Sequence, residues 1–293
     1  MTLYQPGILE SVPNHSRYLE FGVDLDSDIS AVLKSLRSWK MDAGSVIGFG
    51  PAVLSLLSHP LEPLHSFPPF KGPGCNIPST QADLWCWLRG DDRGRLVHQA
   101  RDFKKLVEPA FRCNSVVDGF MYDESRDLSG YIDGTENPTG GDAVEVAIAQ
   151  GLSPDLDGSS FVAVQHWVHD LDLFKAKPQA EQDGIFGRRL SDNEEFDEAP
   201  VSAHVKRTAQ ESFNPEAFMV RRSMPWADAT GEGLVFVSFG KSLEAFEAVF
   251  KRMTGQEDGI LDGLFNFTKP VTGSYFWCPP VKGGALNLSF LGL

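Results

Sequence analysis

A chain of 293 residues with a formal charge of −14 is not expected to bind nucleic acid, because phosphate recognition needs concentrated Lys and Arg. The hydrophobic share of 42% and charged share of 23% are ordinary for a globular protein of one large or two compact domains. No stretch approaches the roughly 20 apolar residues of a membrane span, so no membrane partner is expected.

The opening run, MTLYQPGILESVPNHSRYLEF, lacks the basic flank and apolar core of an export signal, and a cytoplasmic location is expected. Residues 17–25 alternate apolar and polar and predict a strand. Asp28 caps the next helix, with Ile29, Val32, Leu33 and Leu36 on one face. A short apolar strand follows at 45–50, and the Pro/Gly-rich stretch 59–80 predicts a long irregular loop. Residues 82–90 read as a strand, 91–107 as a helix and 115–122 as another strand. The order is β-α-β-β-α-β, the ferredoxin-like pattern.

The second half repeats that order less cleanly. A strand at 160–168 leads into a short helix at 170–177, then an irregular segment with the acidic run DNEEFDE (192–198). A strand at 233–240, a helix at 242–253 and a strand at 273–279 complete it. The segments WLRGDDRGRLVHQARDF and FVSFGKSLEAFEAVFKRM are counterparts, each a strand turning tightly into a helix. A duplicated α+β unit with antiparallel sheets is therefore the expected architecture. The boundary falls among the turn residues near 140–158 and divides the chain into 1–145 and 146–293. The 21 Phe residues predict aromatic-rich cores. Cys75, Cys86, Cys113 and Cys278 form no CxxC and predict buried free thiols.

Four segments carry residues suited to chemistry. Gly130-Tyr131-Ile132-Asp133-Gly134-Thr135-Glu136-Asn137-Pro138 is a tight glycine-permitted loop. A surface turn and a pocket loop fixing Asp133 against a ligand are both open readings; the EF-hand calcium spacing is not met. His204, in Ala203-His204-Val205-Lys206-Arg207, is a metal or cofactor ligand or a structural residue. Arg221 and Arg222 lie in VRRSMP (220–225), facing solvent or with one guanidinium turned inward. Asp262 lies between glycines in a closing loop, as a cap or as a partner to another site residue.

In that order and at those spacings the segments resemble the dye-decolourising peroxidases, whose hallmark GxxDG is here Gly130 to Gly134. The resemblance runs through DGTENP, AHVKR, VRRSMP and the DGILDGLFNFT…TG stretch (258–273). It spans the chain from near residue 17 to near 278 and is similar to the smaller B-type members. It implies two ferredoxin-like halves with haem b (iron protoporphyrin IX) held mainly by the C-terminal half. His204 maps to the axial iron ligand, with Asp262 accepting a bond from its other ring nitrogen. Asp133 and Arg221 map to the peroxide side, as proton shuttle and charge stabiliser. Gly134, Thr135 and Glu136 map along the haem edge, and Ser223 to a position carrying Asn or Ser in B-type relatives. Arg207, one helical turn after His204, is a candidate propionate partner.

The implied partners are hydrogen peroxide and aromatic reductants, with a homo-oligomer expected. An ordinary Asp titrates near ~4, so turnover on the acid side of neutrality is expected. The net charge repels anionic substrates at neutral pH. Dyes too bulky for a closed haem site would use surface aromatics, with Tyr131, Trp226, Tyr275 and Trp277 as candidates. His166 and His169 fall on opposite faces of a strand and read as structural. The acidic run reads as a solvated loop, with a divalent-cation site such as Mn²⁺ as its alternative.

Three rival functions are distinguishable. A haem-handling or iron-releasing protein would share His204 but has no need of both Asp133 and Arg221. Chlorite-decomposing enzymes lack the Asp of GxxDG. Cargo for a protein shell calls for a loading tail, and LNLSFLGL leaves little room for one.

Overall fold

The computed structural model describes residues 3–293; residues 1 and 2 of the expected N-terminal unit lie outside it. The first half runs β1 (His15–Val23), α1 (Ile29–Leu36), β2 (Ser45–Phe49), α2 (Pro51–Leu56), a hairpin of β3 (Phe70–Gly72) and β4 (Cys75–Ile77), β5 (Leu84–Gly90), α3 (Arg93–Val107) and β6 (Phe111–Phe120). Asp28 and Asp92 cap α1 and α3 by accepting from the backbone N–H of Ala31 and Arg95. Each such cap is worth about 1 kcal/mol. The hairpin interrupts the predicted 59–80 loop, and α2 starts on Pro51, whose ring suits a first helical turn.

The second half runs α4 (Gly140–Ala147), β7 (Ser160–His169), α5 (Leu171–Lys175), α6 (Gln179–Phe186), α7 (His204–Arg207), β8 (Val220–Arg221), β9 (Met224–Asp228), β10 (Gly231–Gly240), α8 (Glu244–Met253), β11 (Thr268–Pro270), β12 (Ser274–Cys278), β13 (Val281–Lys282) and β14 (Ala285–Leu286). The turn-rich stretch expected to mark the boundary holds a real helix, α4.

The strands pair antiparallel throughout. Their order β12-β2-β5-β1-β6-β9-β10 closes on itself, because β7 pairs with both β10 and β12. Side-chain alternation then gives the ring an inside and an outside. Tyr18, Val46, Trp85, Trp87, Val162, Val164, Met224, Val235, Val237 and Phe276 meet in one core inside the ring. Their neighbours Leu19, Phe21, Ile47, Cys86 and Phe161 point outward, under α1, α2, α3 and α8.

Burial inside the ring, on its covered outer face and in a third cluster around Phe174 and Phe267 corrects one expectation. Trp226 is 8% exposed, Tyr131 3%, and Tyr275 and Trp277 0%. None of the four is a surface aromatic. The thiols of Cys86 and Cys278 are buried, Cys75 is partly so, and Cys113 is exposed. No helix among the described residues is long and apolar enough to cross a membrane.

Candidate active site

One cleft dominates the second half, with a volume of about 1580 Å³ counted out to its mouth. Its deep wall is apolar, built from Phe236, Phe246, Val249, Phe250, Leu264 and Phe267. His204, Asp133 and Arg221 all line it, although they come from α7, the GxxDG loop and β8.

His204 is oriented from behind. Its Nδ1–H donates to Asp262 Oδ2 at 2.9 Å. The other oxygen of Asp262 caps the following turn by accepting from Leu264 N at 2.8 Å. Both carboxylate oxygens are thus engaged and the side chain is fully buried. With Nδ1 committed to a carboxylate, Nε2 is the bare nitrogen, and it has no protein partner among the described residues. Gly263 makes the approach possible. Its N–H donates to Ser202 O at 2.7 Å, and a Cβ there would sit 2.9 Å from Ile185 O.

Asp133 follows a narrow loop closed by a bridge between Arg126 and Ile132, with its own N–H on Ser125 O. Gly134 next to it has φ +78°. Burial pushes the Asp133 carboxyl above the usual carboxylate range. The negative charge of Asp127 adds to that, while Arg221 and His204 pull the other way. Burial likewise lowers the Arg221 guanidinium, opposed by Asp133 and Glu136. No ion pair joins Asp133 to Arg221 among the described residues, so both charges remain available to a ligand.

The other expected site residues divide. Gly134, Thr135 and Glu136 line the cleft. Thr135 Oγ1 accepts from Asn193 Nδ2 at 3.1 Å, and Glu136 receives Arg188 at 2.8 Å. Ser223 does not line the cleft. It bounds a separate small cavity behind Asp133, and its hydroxyl accepts from Val237 N at 3.4 Å. Arg207 corrects the propionate expectation. Although helical, its buried guanidinium forks onto Asp258 at 2.7 and 2.8 Å and onto Arg252 O, which commits it elsewhere. In the acidic run, Asp192 and Glu194 pair with Arg189, and Glu195 with Arg188 and Lys206.

Two features were not visible in the sequence as site elements. Asn137, inside the quoted DGTENP, grips the backbone of Arg221. His169 lines the cleft instead of packing away from it, with Nδ1 2.6 Å from Thr268 Oγ1 and Nε2 2.9 Å from Asp127. Burial works against ionisation of Asp127, but the bonds from His169 and Ser129 outweigh it and hold its carboxyl below the usual range. His166, on the other face of β7, is buried with Nε2 unpartnered, and burial lowers its pKa to about 4. Strand alternation separates the two rings as expected, but it gave no sign that one of them would reach the cleft.

The residues present fit a haem. They offer an imidazole nitrogen with no protein partner and backed by a carboxylate, an unpaired carboxyl and guanidinium, and an apolar wall for a flat macrocycle. The family described as Dyp-type peroxidase, C-terminal, matches residues 124–283. A dye-decolorizing peroxidase of Rhodococcus erythropolis is 31% identical over 268 residues, covering 87% of this chain and 78% of that protein. One from Mycolicibacterium paratuberculosis is 29% identical over 264 residues, covering 87% and 75%. Among solved structures, a dyp-type peroxidase protein from Shewanella oneidensis superposes with a TM-score of 0.90 at 28% identity, over 99% of this chain and 98% of that one. A Rhodococcus jostii DypB variant in complex with heme gives 0.82 at 27%, over 92% and 94%.

Proposed function

The chain belongs to the Dyp-type, dye-decolourising peroxidase family and is a haem-dependent oxidoreductase acting on hydrogen peroxide, and from that premise we propose how its residues divide the work. His204 Nε2 would hold the iron of haem b, and Asp262 fixes the ring and enriches its electron density. When bound, the haem supplies an iron that takes up peroxide and a macrocycle that stores the oxidising equivalents.

The remaining chemistry falls to side chains. The Asp133 carboxylate accepts the proton from one peroxide oxygen and delivers it to the other, which leaves as water. The Arg221 guanidinium, cationic at any working pH, stabilises negative charge on that departing oxygen. Gly134, at positive φ, lets the loop turn along the cleft, and the backbone of Thr135 and Glu136 would hold the haem propionates. Ser223 acts from behind Asp133, limiting where the carboxyl can swing. Aromatic reductants and dyes then return the electrons singly, and acidic pH favours turnover.

The two halves, 1–145 and 146–293, are a duplicated ferredoxin-like unit, the second carrying most haem contacts. Strand order supports this: β6-β1-β5-β2 in the first half and β12-β7-β10-β9 in the second each place the fourth, first, third and second strands side by side. A cytoplasmic homo-oligomer completes the reading.

The observation that carries the assignment is His204 bonded through Nδ1 to Asp262 in the wall that also presents Asp133 and Arg221. The test is the absorption spectrum of haem-loaded protein before and after one equivalent of peroxide, repeated with His204→Ala. A Soret band that shifts on peroxide addition, and altered ligation in the variant, are expected. A band indifferent to peroxide would overturn the assignment.

A further inference from the structure

Three cross-links run between the segment that carries His204 and the segment that carries Asp262. Ser202 O accepts from Gly263 N–H at 2.7 Å, Asp262 accepts from His204 Nδ1–H at 2.9 Å, and Asp258 accepts the guanidinium of Arg207. Residue numbers rise along one segment as they fall along the other, so 202–207 and 258–263 lie antiparallel. The His204–Asp262 bond is the middle rung. The Gly263 rung is backbone to backbone, and the Arg207 rung is made of side chains alone.

The middle rung has little else to fix it. Helix α7 is four residues long and has no side-chain cap at Ala203. A helix of that length does not hold itself in isolation. The facing loop leaves α8 at Thr254 and returns at Leu261, where these two residues bridge, and Asp262 N–H donates to Met253 O at 2.8 Å. The loop is thus anchored to α8, and α7 is anchored to the loop.

Arg207 makes that second anchorage directional. Nη1 donates to Asp258 Oδ2 at 2.7 Å and Nη2 to Oδ1 at 2.8 Å, a planar two-bond fork. Nη2 also donates to the carbonyl of Arg252, in the last turn of α8, at 2.6 Å. Asp258 is itself held, because Oδ1 accepts from Ile260 N–H at 2.9 Å. The Arg207 side chain is 6% exposed, and its Nε has no partner among the described residues. An apolar side chain of similar length would fill that space without the desolvation cost. What the fork adds is a fixed orientation of α7 against α8 and the loop.

We infer that Arg207 and Asp258 are positioning residues for the iron-binding imidazole: their fork sets the His204–Asp262 bond, and through it the negative charge that reaches the iron. The inference rests on His204 as the axial haem ligand. With the fork gone, α7 can rock about the Ser202–Gly263 rung, Nδ1 swings off Asp262 Oδ2, and the ring loses anionic character.

Two readings test this, one of them without haem. In isotope-labelled apo protein the His204 Nδ1–H signal, identified by its loss in His204→Ala, reports the middle rung directly. Its exchange with solvent should quicken about tenfold in both Arg207→Met and Asp258→Asn. In holoenzyme the reduction potential should rise in both variants, and haem affinity should fall by up to about tenfold. Arg207→Met added to Asp262→Asn should shift the potential no further, because the bond it positions is already lost. Variants that melt lower yet keep the parent's exchange rate and potential would overturn the inference and leave the fork a structural tie. A double variant whose shifts add would overturn it too, since Arg207 would then reach the iron by another route. A parent protein that takes up no haem would instead overturn the haem reading, while the apo exchange rates still decide the fork.

Discussion

Asn137 clasps the backbone of Arg221 at two points: its Nδ2 donates to the Arg221 carbonyl at 2.9 Å, and its Oδ1 accepts the Arg221 N–H at 2.8 Å. The clasp joins the loop that carries Asp133 to the two-residue strand that carries Arg221, across 84 positions of sequence. A strand so short has little pairing of its own to hold it, only Ser238 and Phe239 of β10.

Asn137→Ala should therefore lower kcat/KM for peroxide by about 10- to 100-fold, since a displacement of about 1 Å in a catalytic group costs on that order. Haem affinity should hardly change, because no haem-facing atom is removed. Stopped-flow mixing with peroxide and a haem titration read the two quantities separately. A peroxide rate equal to the parent's would mean that β8 holds Arg221 without the clasp.

The pH dependence follows from Asp133. Burial raises its carboxyl above the usual range, and the charge of Asp127 adds to that. Proton acceptance needs the ionised form, so the acid limb of the peroxide rate should lie above the ~4 of an ordinary aspartate. The window favoured at acid pH is thereby narrowed from below. Asp133→Asn should abolish that limb and cost about 10²- to 10⁴-fold in rate. Stability moves the other way. A raised native pKa favours folding below the unfolded value and loses that contribution as pH rises through the native one. Apo Asp133→Asn should thus melt higher than the parent at pH 7, with the gap closing below about pH 4. Equal melting temperatures at pH 7 would show that ionised Asp133 carries no penalty.

Asp262 is 1% exposed and uses both oxygens, one for His204 and one for the Leu264 N–H. Asp262→Asn leaves a single acceptor oxygen for two donors. His204 then loses its anionic partner, and haem affinity should fall about 10- to 100-fold. The reduction potential of the bound iron should rise, because less negative charge reaches it through the ring. Spectroelectrochemical titration reads the potential; an unchanged or lower value would argue against Asp262 as the charge donor.

Much of this was legible because it is local. Asp28 before an i, i+3, i+4 pattern gives α1 with its cap, and the β5–α3 and β10–α8 pairs fall within a few residues of their expected bounds. The four motif segments could be named one by one, since each is short and contiguous. What joins them was not local. Strands β8 and β9 are too brief for a period to show, and α4 opens on two glycines that read as turn material. Ring closure is a pairing of β7 with two partners, and no alternation pattern distinguishes it from an open sheet. Trp277 and Tyr275, expected at the surface, are fully buried because the outer face of β12 is itself covered, by Phe290 over Trp277 and by Phe67 and Phe246 over Tyr275. Arg207 was placed by helical spacing alone, whereas its position is decided by Asp258, 51 residues on.

The approach of the Asp262 turn to His204 depends on the absence of one carbon. A Cβ at Gly263 would lie 2.9 Å from Ile185 O, 3.1 Å from Ser202 O and 3.2 Å from Ile185 Cα. All three are backbone atoms, so no side chain can rotate away to make room. The Gly263 N–H also donates to that same Ser202 carbonyl at 2.7 Å, which leaves the turn no slack. Gly263→Ala should cost about 1–3 kcal/mol of stability. Because Asp262 directly precedes it, the shift should lengthen the His204–Asp262 bond and weaken haem binding as well. Gly141→Ala is the control. It lies in α4 with nothing within 4 Å of its Cβ position, and alanine there should be neutral or stabilising by up to about 1 kcal/mol. Thermal melts of the apo proteins and haem titrations of both variants separate these cases. A Gly263→Ala protein matching the parent in both would mean that the segments behind His204 yield more readily than their backbone contacts imply.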